Sequence, residues 1–357
     1  MTGHTHPTSA LKNSQKRFDY NDIAKGIGML AIMWGHIRLQ DWSNAFVYAW
    51  HIPLFFFLSG MVFNQSRYPN FKTFFLKKVK SLLVPYVIYS FATWVIWGAF
   101  TYISHGTTES YWMPLAETFL AQGSGGFLVH NVPLWFVTCL FVSEMVYYFL
   151  AKLSKSVIAL ICIILSVCSY CLISYFDGCD ITLLPWNLEV VCLVLPFYAM
   201  GHFTTQKWSH QQMQDYVSAH KREGGITICV LAISVLLGSQ YNGSISFGHA
   251  SIGNPLVTYP CGFMGTMMIL VSSMLLAGTK TCKTLSGLKW FGRNSYTAMA
   301  IHNPIKGIVC VVVGAVLGCE AQDVIFNSYY SLVAMTISLI CTVVMIIIIN
   351  KFILRNK

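Results

Sequence analysis

Ten predominantly apolar stretches follow one another along the chain, near 20–38, 45–63, 82–103, 131–151, 156–176, 187–203, 225–240, 259–278, 294–313 and 329–350. Most approach the roughly 20 residues with which a helix crosses a hydrocarbon core of about 30 Å. Lipid offers no partner to backbone N–H and C=O groups, so a spanning segment must satisfy its own hydrogen bonds. The expectation is an all-α integral membrane protein, a bundle of about ten transmembrane helices forming one domain over 18–357, with a polar tail over 1–17. The tail has no apolar core region of the kind a secretory signal needs, so no cleavable signal is expected.

Composition sharpens the picture. Of the 357 residues 55% are hydrophobic and 10% charged, against about 25% charged in soluble domains. The net charge of +10 would suit a nucleic-acid binder if the cations formed one patch, but they are dispersed. Lys12, Lys16 and Arg17 precede the first stretch, and Arg67, Lys72, Lys77, Lys78 and Lys80 separate the second from the third. Lys152 and Lys155, then Lys207, Lys221 and Arg222, then Lys280, Lys283, Lys289 and Arg293, then Lys351, Arg355 and Lys357 follow at alternate connections. The intervening connections 104–130, 177–186, 241–258 and 314–328 hold neither Lys nor Arg, and only Arg38 and Lys306 fall towards that side. By the positive-inside rule both termini are cytoplasmic, and nucleic acid is not an expected partner. The twelve cysteines are scattered along the chain, and no metal site is expected of them. Most lie in apolar stretches, where Cys behaves as a small apolar residue. Cys179 and Cys319 fall in outer connections, and whether they pair stays open.

Ionisable groups inside apolar stretches are costly in lipid and mark candidate sites. In the first stretch Asp22, Lys25, Gly26, Met29, Met33 and His36 recur at helical spacing and form one stripe. The stripe runs roughly 20 Å along the axis and is the expected wall of a polar path. His51 lies near the start of the next helix, and the short connection makes the two helices antiparallel neighbours, so both imidazoles should share a depth. Glu144 stands midway along the fourth stretch, where a lone charge is costly, so it should be protonated or paired, either within a site or as bundle support. His302 shares a helix face with Ser295, Met299 and Lys306. Asp19 and Asp22 either orient cations at the helix entrance or simply complement its positive end. Trp135 and Phe136 could stack on a sugar or on adenine, although in a chain that is 15% aromatic packing is the better expectation. Ser59-Gly60 lacks the GxSxG elbow of a serine nucleophile, and small residues in membrane helices usually serve close packing.

An ordered set of motifs adds to this. Arg17-x-Asp19, Lys25-Gly26, Gly35-His36 and Pro53-Leu54-Phe55-Phe56-x-x-Ser59-Gly60 come first, followed by the basic run Lys77-Lys78-Val79-Lys80 leading to Pro85-Tyr86. Pro133-Leu134-Trp135-Phe136 with Leu140 and Glu144, then Pro196-Phe197-Tyr198-x-x-Gly201, then Phe291-Gly292-x-Asn294-Ser295-Tyr296 and His302 complete it. Together they resemble the membrane acyltransferase 3 family, inner-membrane O-acyltransferases that include polysaccharide O-acetylases. The basic run holds Lys where many relatives have Arg, which replaces a bidentate phosphate grip by point charges.

The resemblance implies a multi-pass protein of the bacterial inner membrane that moves an acyl group, acetyl being the expectation, from cytosolic acyl-CoA to a hydroxyl of a surface glycan or its lipid-linked precursor. Acetyl-CoA is then a donor substrate, and no permanently bound cofactor is expected. A sugar hydroxyl needs a positioned base, and neutral His is the usual one. His36 is the candidate base, with Asp19 and His302 as further catalytic candidates. Arg17, Lys25, Arg67, Lys77 and Lys78 are candidates for the CoA phosphates, and His51, Trp135 and Glu144 for the acceptor. The alternative is a secondary transporter using intramembrane His, Lys and Glu as a proton relay. Against it stand the absence of a visible internal repeat and of paired Gly/Pro interruptions at mid-membrane.

Overall fold

The computed structural model describes residues 17–37, 41–105, 111–123, 127–176, 184–278 and 285–355. It is 85% helical, with no strand among the described residues. Arg38, Cys179 and tail residues 1–16 lie outside the described residues.

The first two apolar stretches form the centre. Helix α1 (Asp19–Gly35) is followed by α2 (Asp41–Tyr48) and, after a turn at Ala49-Trp50, by α3 (His51–Met61). The predicted second span is thus two short helices. Helix α1 has 17 residues and α3 has 11, about 25 Å and 16 Å of axis. No residue of either is exposed.

The predicted third span starts earlier than its apolar stretch. Helix α4 (Phe71–Lys78) runs through a π-helical turn, 79–83, into α5 (Val84–His105). The basic run therefore lies on a helix rather than in a loop. Asn70 starts α4 by accepting the Thr73 amide at 2.9 Å, the capping that the four orphan donors of a helix start require. Pro85 has no amide hydrogen to give back one turn and would crowd the carbonyl there, and the widened turn just before it relieves both problems.

Next come α6 (Trp112–Leu120), α7 (Trp135–Leu150), α8 (Lys155–Phe176), α9 (Leu188–Lys207), α10 (His210–Ala219), α11 (Lys221–Asn242), α12 (Pro255–Ala277), α13 (Ser286–Arg293), α14 (Ser295–Leu317), α15 (Ala321–Phe326) and α16 (Ser328–Arg355). Helices α6, α10, α13 and α15 occupy connections that periodicity left as loops. Among the described residues, eight helices are long and apolar enough to cross a membrane, and the chain is a multi-pass membrane protein.

Two close contacts fix the centre. Helices α3 and α9 cross at Gly60 and Gly201, where a Cβ on either would lie 2.0 Å from a backbone carbonyl of the other helix. Only glycine lets the backbones approach so far. Helix α1 lies against α13, and a Cβ on Gly26 would meet the Leu288 carbonyl at 2.5 Å. Proline inside a helix frees the carbonyl one turn back, and neighbours accept that role here. Ser166 donates to Cys192 O at 3.0 Å opposite Pro196, and Asn131 donates to Ala300 O at 2.6 Å opposite Pro304.

Candidate active site

A cavity of about 260 Å³ runs between α1, α3, α7 and α14. Lys25 stands at one end; His36, His51 and Trp135 line it further along, and Ser246 and His249 of the α11–α12 connection close the other end. Lys25 and His36 are eleven residues apart on α1, roughly 16 Å at about 1.5 Å per residue.

The predicted stripe is half right. Lys25 and His36 face the cavity together with Ile32. Gly26, Met29 and Met33 do not. They pack towards α13 and α14, where Met29 and Met33 are buried with Phe291, Ala298 and Ile301. The apolar cover on that side is α13, which the sequence pattern showed only as a connection.

At the start of α1 the carboxylates hold cations. Asp22, 2% exposed, accepts Arg17 Nε and Nη2 at 2.8 and 2.7 Å and Arg293 Nε at 2.9 Å. Asp19 pairs with Lys289 at 2.9 Å and with Arg293 at 3.7 Å. Of the two readings open for these acids, orienting cations is what the geometry displays. Lys289 and Arg293 belong to α13, and local sequence gave no sign of the pairing. Asp19 sits at the far end of α1 from His36, so the structure does not bring these two together. Lys25 has no ion pair among the described residues, although it lines the cavity.

The histidines gather at the other end of α1. The rings of His36 and His302 lie 5.2 Å apart between centroids, inclined at 39°. His302 is 1% exposed, and its Nδ1–H donates to the carbonyls of Ala298 and Met299 at 3.1 and 2.9 Å. Its Nε2 is buried without a partner among the described residues. His51 Nδ1–H donates to Val47 O at 2.9 Å, which leaves the lone pair on Nε2. Tyr48 ties the two cavity histidines together, donating to Gly35 O at 3.2 Å while its ring meets His51 edge-on at 5.0 Å. Lys306 Nζ reaches the His36 carbonyl at 3.4 Å. The His36 side chain makes no hydrogen bond among the described residues and is free to meet a bound molecule. His36 and His51 therefore line one cavity, as their spacing across the short connection implied.

The remaining candidates lie elsewhere. Lys78 pairs with Glu144 at 2.6 Å, and Glu144 is buried in α7 with its second oxygen unpartnered among the described residues. Lys77 lies 5.2 Å over the Tyr68 ring. Arg67 is exposed near α10. None of these lines the cavity. Trp135, 7% exposed, both packs in the core and contributes to the cavity wall.

Sequence reasoning missed the connection 243–254. It folds inward, with Ile245, Phe247, Ala250 and Ile252 buried and Ser246 bonded to His249 Nδ1 at 2.8 Å. Its sign in the sequence was the recurrence of apolar residues among Gly and Ser in a segment that lacks cations.

The structure is thus a membrane-embedded helical bundle whose cavity carries Lys25 at one end and the imidazoles of His36 and His51 further along. A family model for the acyltransferase 3 acyltransferase domain matches residues 18–351, nearly the whole chain, and the chain belongs to that family. No curated protein and no solved structure matches it.

Proposed function

We propose that the protein transfers an acyl group, acetyl in the simplest case, from cytosolic acyl-CoA to a hydroxyl of a surface glycan or its lipid-linked precursor at the inner membrane of a bacterium. The observation that carries this is one cavity lined both by Lys25, which has no ion pair among the described residues, and by the imidazoles of His36 and His51. The alternating cations support a topology with the start of α1 and both termini on the cytoplasmic side.

On that topology Lys25 meets the anionic end of the donor as it enters. Arg17 and Arg293, held by Asp22, add positive charge at the mouth. The thioester arm extends towards His36. There His36 takes the proton of the acceptor hydroxyl as its oxygen attacks the thioester carbonyl. The new C–O bond forms, the C–S bond breaks, and the imidazolium returns the proton to the departing CoA thiolate. His302 keeps its Nε2 lone pair available for an N–H of the adjacent His36, which would fix the tautomer of the base. Family membership favours this reading over transport.

The direct test is incubation of purified protein in lipid nanodiscs with radiolabelled acetyl-CoA and glycan acceptor. Label should pass to the glycan as an alkali-labile ester. Labelled solute crossing the membrane with no ester formed would instead support a transporter.

A further inference from the structure

A second cavity, about 1,120 Å³, lies between α5 and α14 at the His36 end of the bundle, and nothing above uses it. One wall is apolar, formed by Ile96, Trp97 and Phe100 of α5. Ile96 and Ile308 both line it and are 47% and 38% exposed, so its mouth lies on the apolar flank of the bundle. The inner wall is polar and rich in donors. Lys306 lies there with no carboxylate in ion-pair range among the described residues, its ammonium meeting only the His36 carbonyl, at 3.4 Å. His130, 3% exposed, lines the cavity with both ring nitrogens buried and, among the described residues, unpartnered, and the Tyr111 hydroxyl is likewise buried without a partner among them. Among the described residues the one acid on the wall, Glu320, is engaged at the start of α15, where its side chain accepts the Asp323 amide.

Buried polar groups without partners are costly. A cation, an imidazole and a hydroxyl left unpaired around one space form a receptor for an anion with several acceptor oxygens. The apolar wall beside them asks for a hydrocarbon chain on the same molecule. Lys306 touches the backbone of His36, so an anion held there sits next to the candidate base.

We propose that this cavity admits the acceptor from the side, and that the acceptor is a sugar carried on a lipid phosphate. The phosphate lies at Lys306, His130 and Tyr111, the chain runs along Ile96, Trp97 and Phe100 into the bilayer, and the sugar is presented towards His36. This rests on the acyltransferase reading and names its acceptor class as lipid-linked rather than free glycan.

The test is photo-crosslinking of a diazirine-bearing dodecyl phosphate to the intact protein in phosphatidylcholine nanodiscs, with labelled peptides mapped by mass spectrometry. Label should fall on the peptide carrying Ile96–Phe100. Lys306→Met should cut it by about tenfold or more, the loss of one charge-assisted bond, and Lys306→Arg should retain it. Gly307 lines the cavity with nothing within 4 Å of its Cβ position. Gly307→Leu should therefore fill the space and block labelling in a protein that still elutes as a single species. Label unchanged in both Lys306→Met and Gly307→Leu overturns the proposal. So does equal labelling by the neutral dodecyl alcohol probe, or removal of the label by excess inorganic phosphate, which would mark a site for free anion. Crosslinking needs no turnover. A protein that labels as expected but never forms ester overturns the acyltransferase reading, whereas one that forms ester but labels elsewhere overturns only the placement of the acceptor.

Discussion

His36, just past the end of α1, and His302 on α14 hold their rings 5.2 Å apart, with His302 committed through Nδ1 to its own helix and His36 bonded through neither nitrogen among the described residues. One ring is fixed and the other is free, an asymmetry that suits a base and the group that orients it. His36→Ala should lower acyl transfer on the order of 10²-fold or more while CoA binding is kept. His302→Ala and His51→Ala should cost less. Transfer to native glycan in cells and CoA binding by purified protein, measured in parallel, decide it. Near-normal transfer by His36→Ala would move the base to His51 or His302.

Lys25 lines the cavity and has no ion pair among the described residues, whereas Arg17 is engaged by Asp22. Lys25→Ala should weaken acyl-CoA on the order of tenfold to a hundredfold, as loss of a charge-assisted bond to phosphate requires. Arg17→Ala should weaken it less, because Arg293 still holds Asp22. Isothermal titration with CoA measures both. Unchanged affinity in the two variants would leave these cations as determinants of topology alone.

Lys78 and Glu144 form a pair in which the carboxylate is 5% exposed and the ammonium 21%. Lys78→Met should strand the carboxylate at a cost of about 3–5 kcal/mol, visible as a lower midpoint in thermal unfolding followed by size exclusion. Adding Glu144→Gln should recover most of that loss. A double variant no better than Lys78→Met would mean that the pair carries no coupling.

Helix α10 covers the ends of α1 and α3 through His210, which stacks on Phe18 at 5.0 Å and meets the Tyr20 hydroxyl. Burial pushes the His210 imidazole below its ordinary value, with Arg67 adding a smaller push the same way and a bond to the Met61 carbonyl opposing them. The fold therefore prefers neutral His210. The unfolded chain takes up this proton near pH 6.5, so the contribution is complete above that pH and is lost as pH falls below it. His210→Gln should flatten the acid side of the thermal stability profile between about pH 6.5 and 5. Parallel profiles for the two proteins would remove His210 from the pH response.

Much of the site was legible in order along the chain. The helical spacing of Lys25 and His36, and the short connection before His51, sufficed to place them together. Partners of Asp22 and Asp19 on α13 were not, since Arg293 lies 271 positions from Asp22 and periodicity is a local signal. The middle of the stripe failed for the same reason. Met29 and Met33 look as fit to line a path as to fill a core until the helix that covers them is known. Hydropathy also cannot separate a helix that faces lipid from one that faces protein. The sequences of α1 and α3 are as apolar as spans that meet the bilayer, yet they have no exposed residue.

That enclosure shields the geometry of the site from the thickness of the bilayer. Lipids press on the outer helices, and a thinner or thicker membrane is accommodated there by tilting or by local deformation of the bilayer, at a fraction of a kcal/mol per Å of mismatch. The short histidine-bearing helices have no hydrocarbon thickness to match. The distance between Lys25 and His36 is set by one stretch of covalent helix, so the enzyme should keep the same internal reach in membranes of different lipid composition.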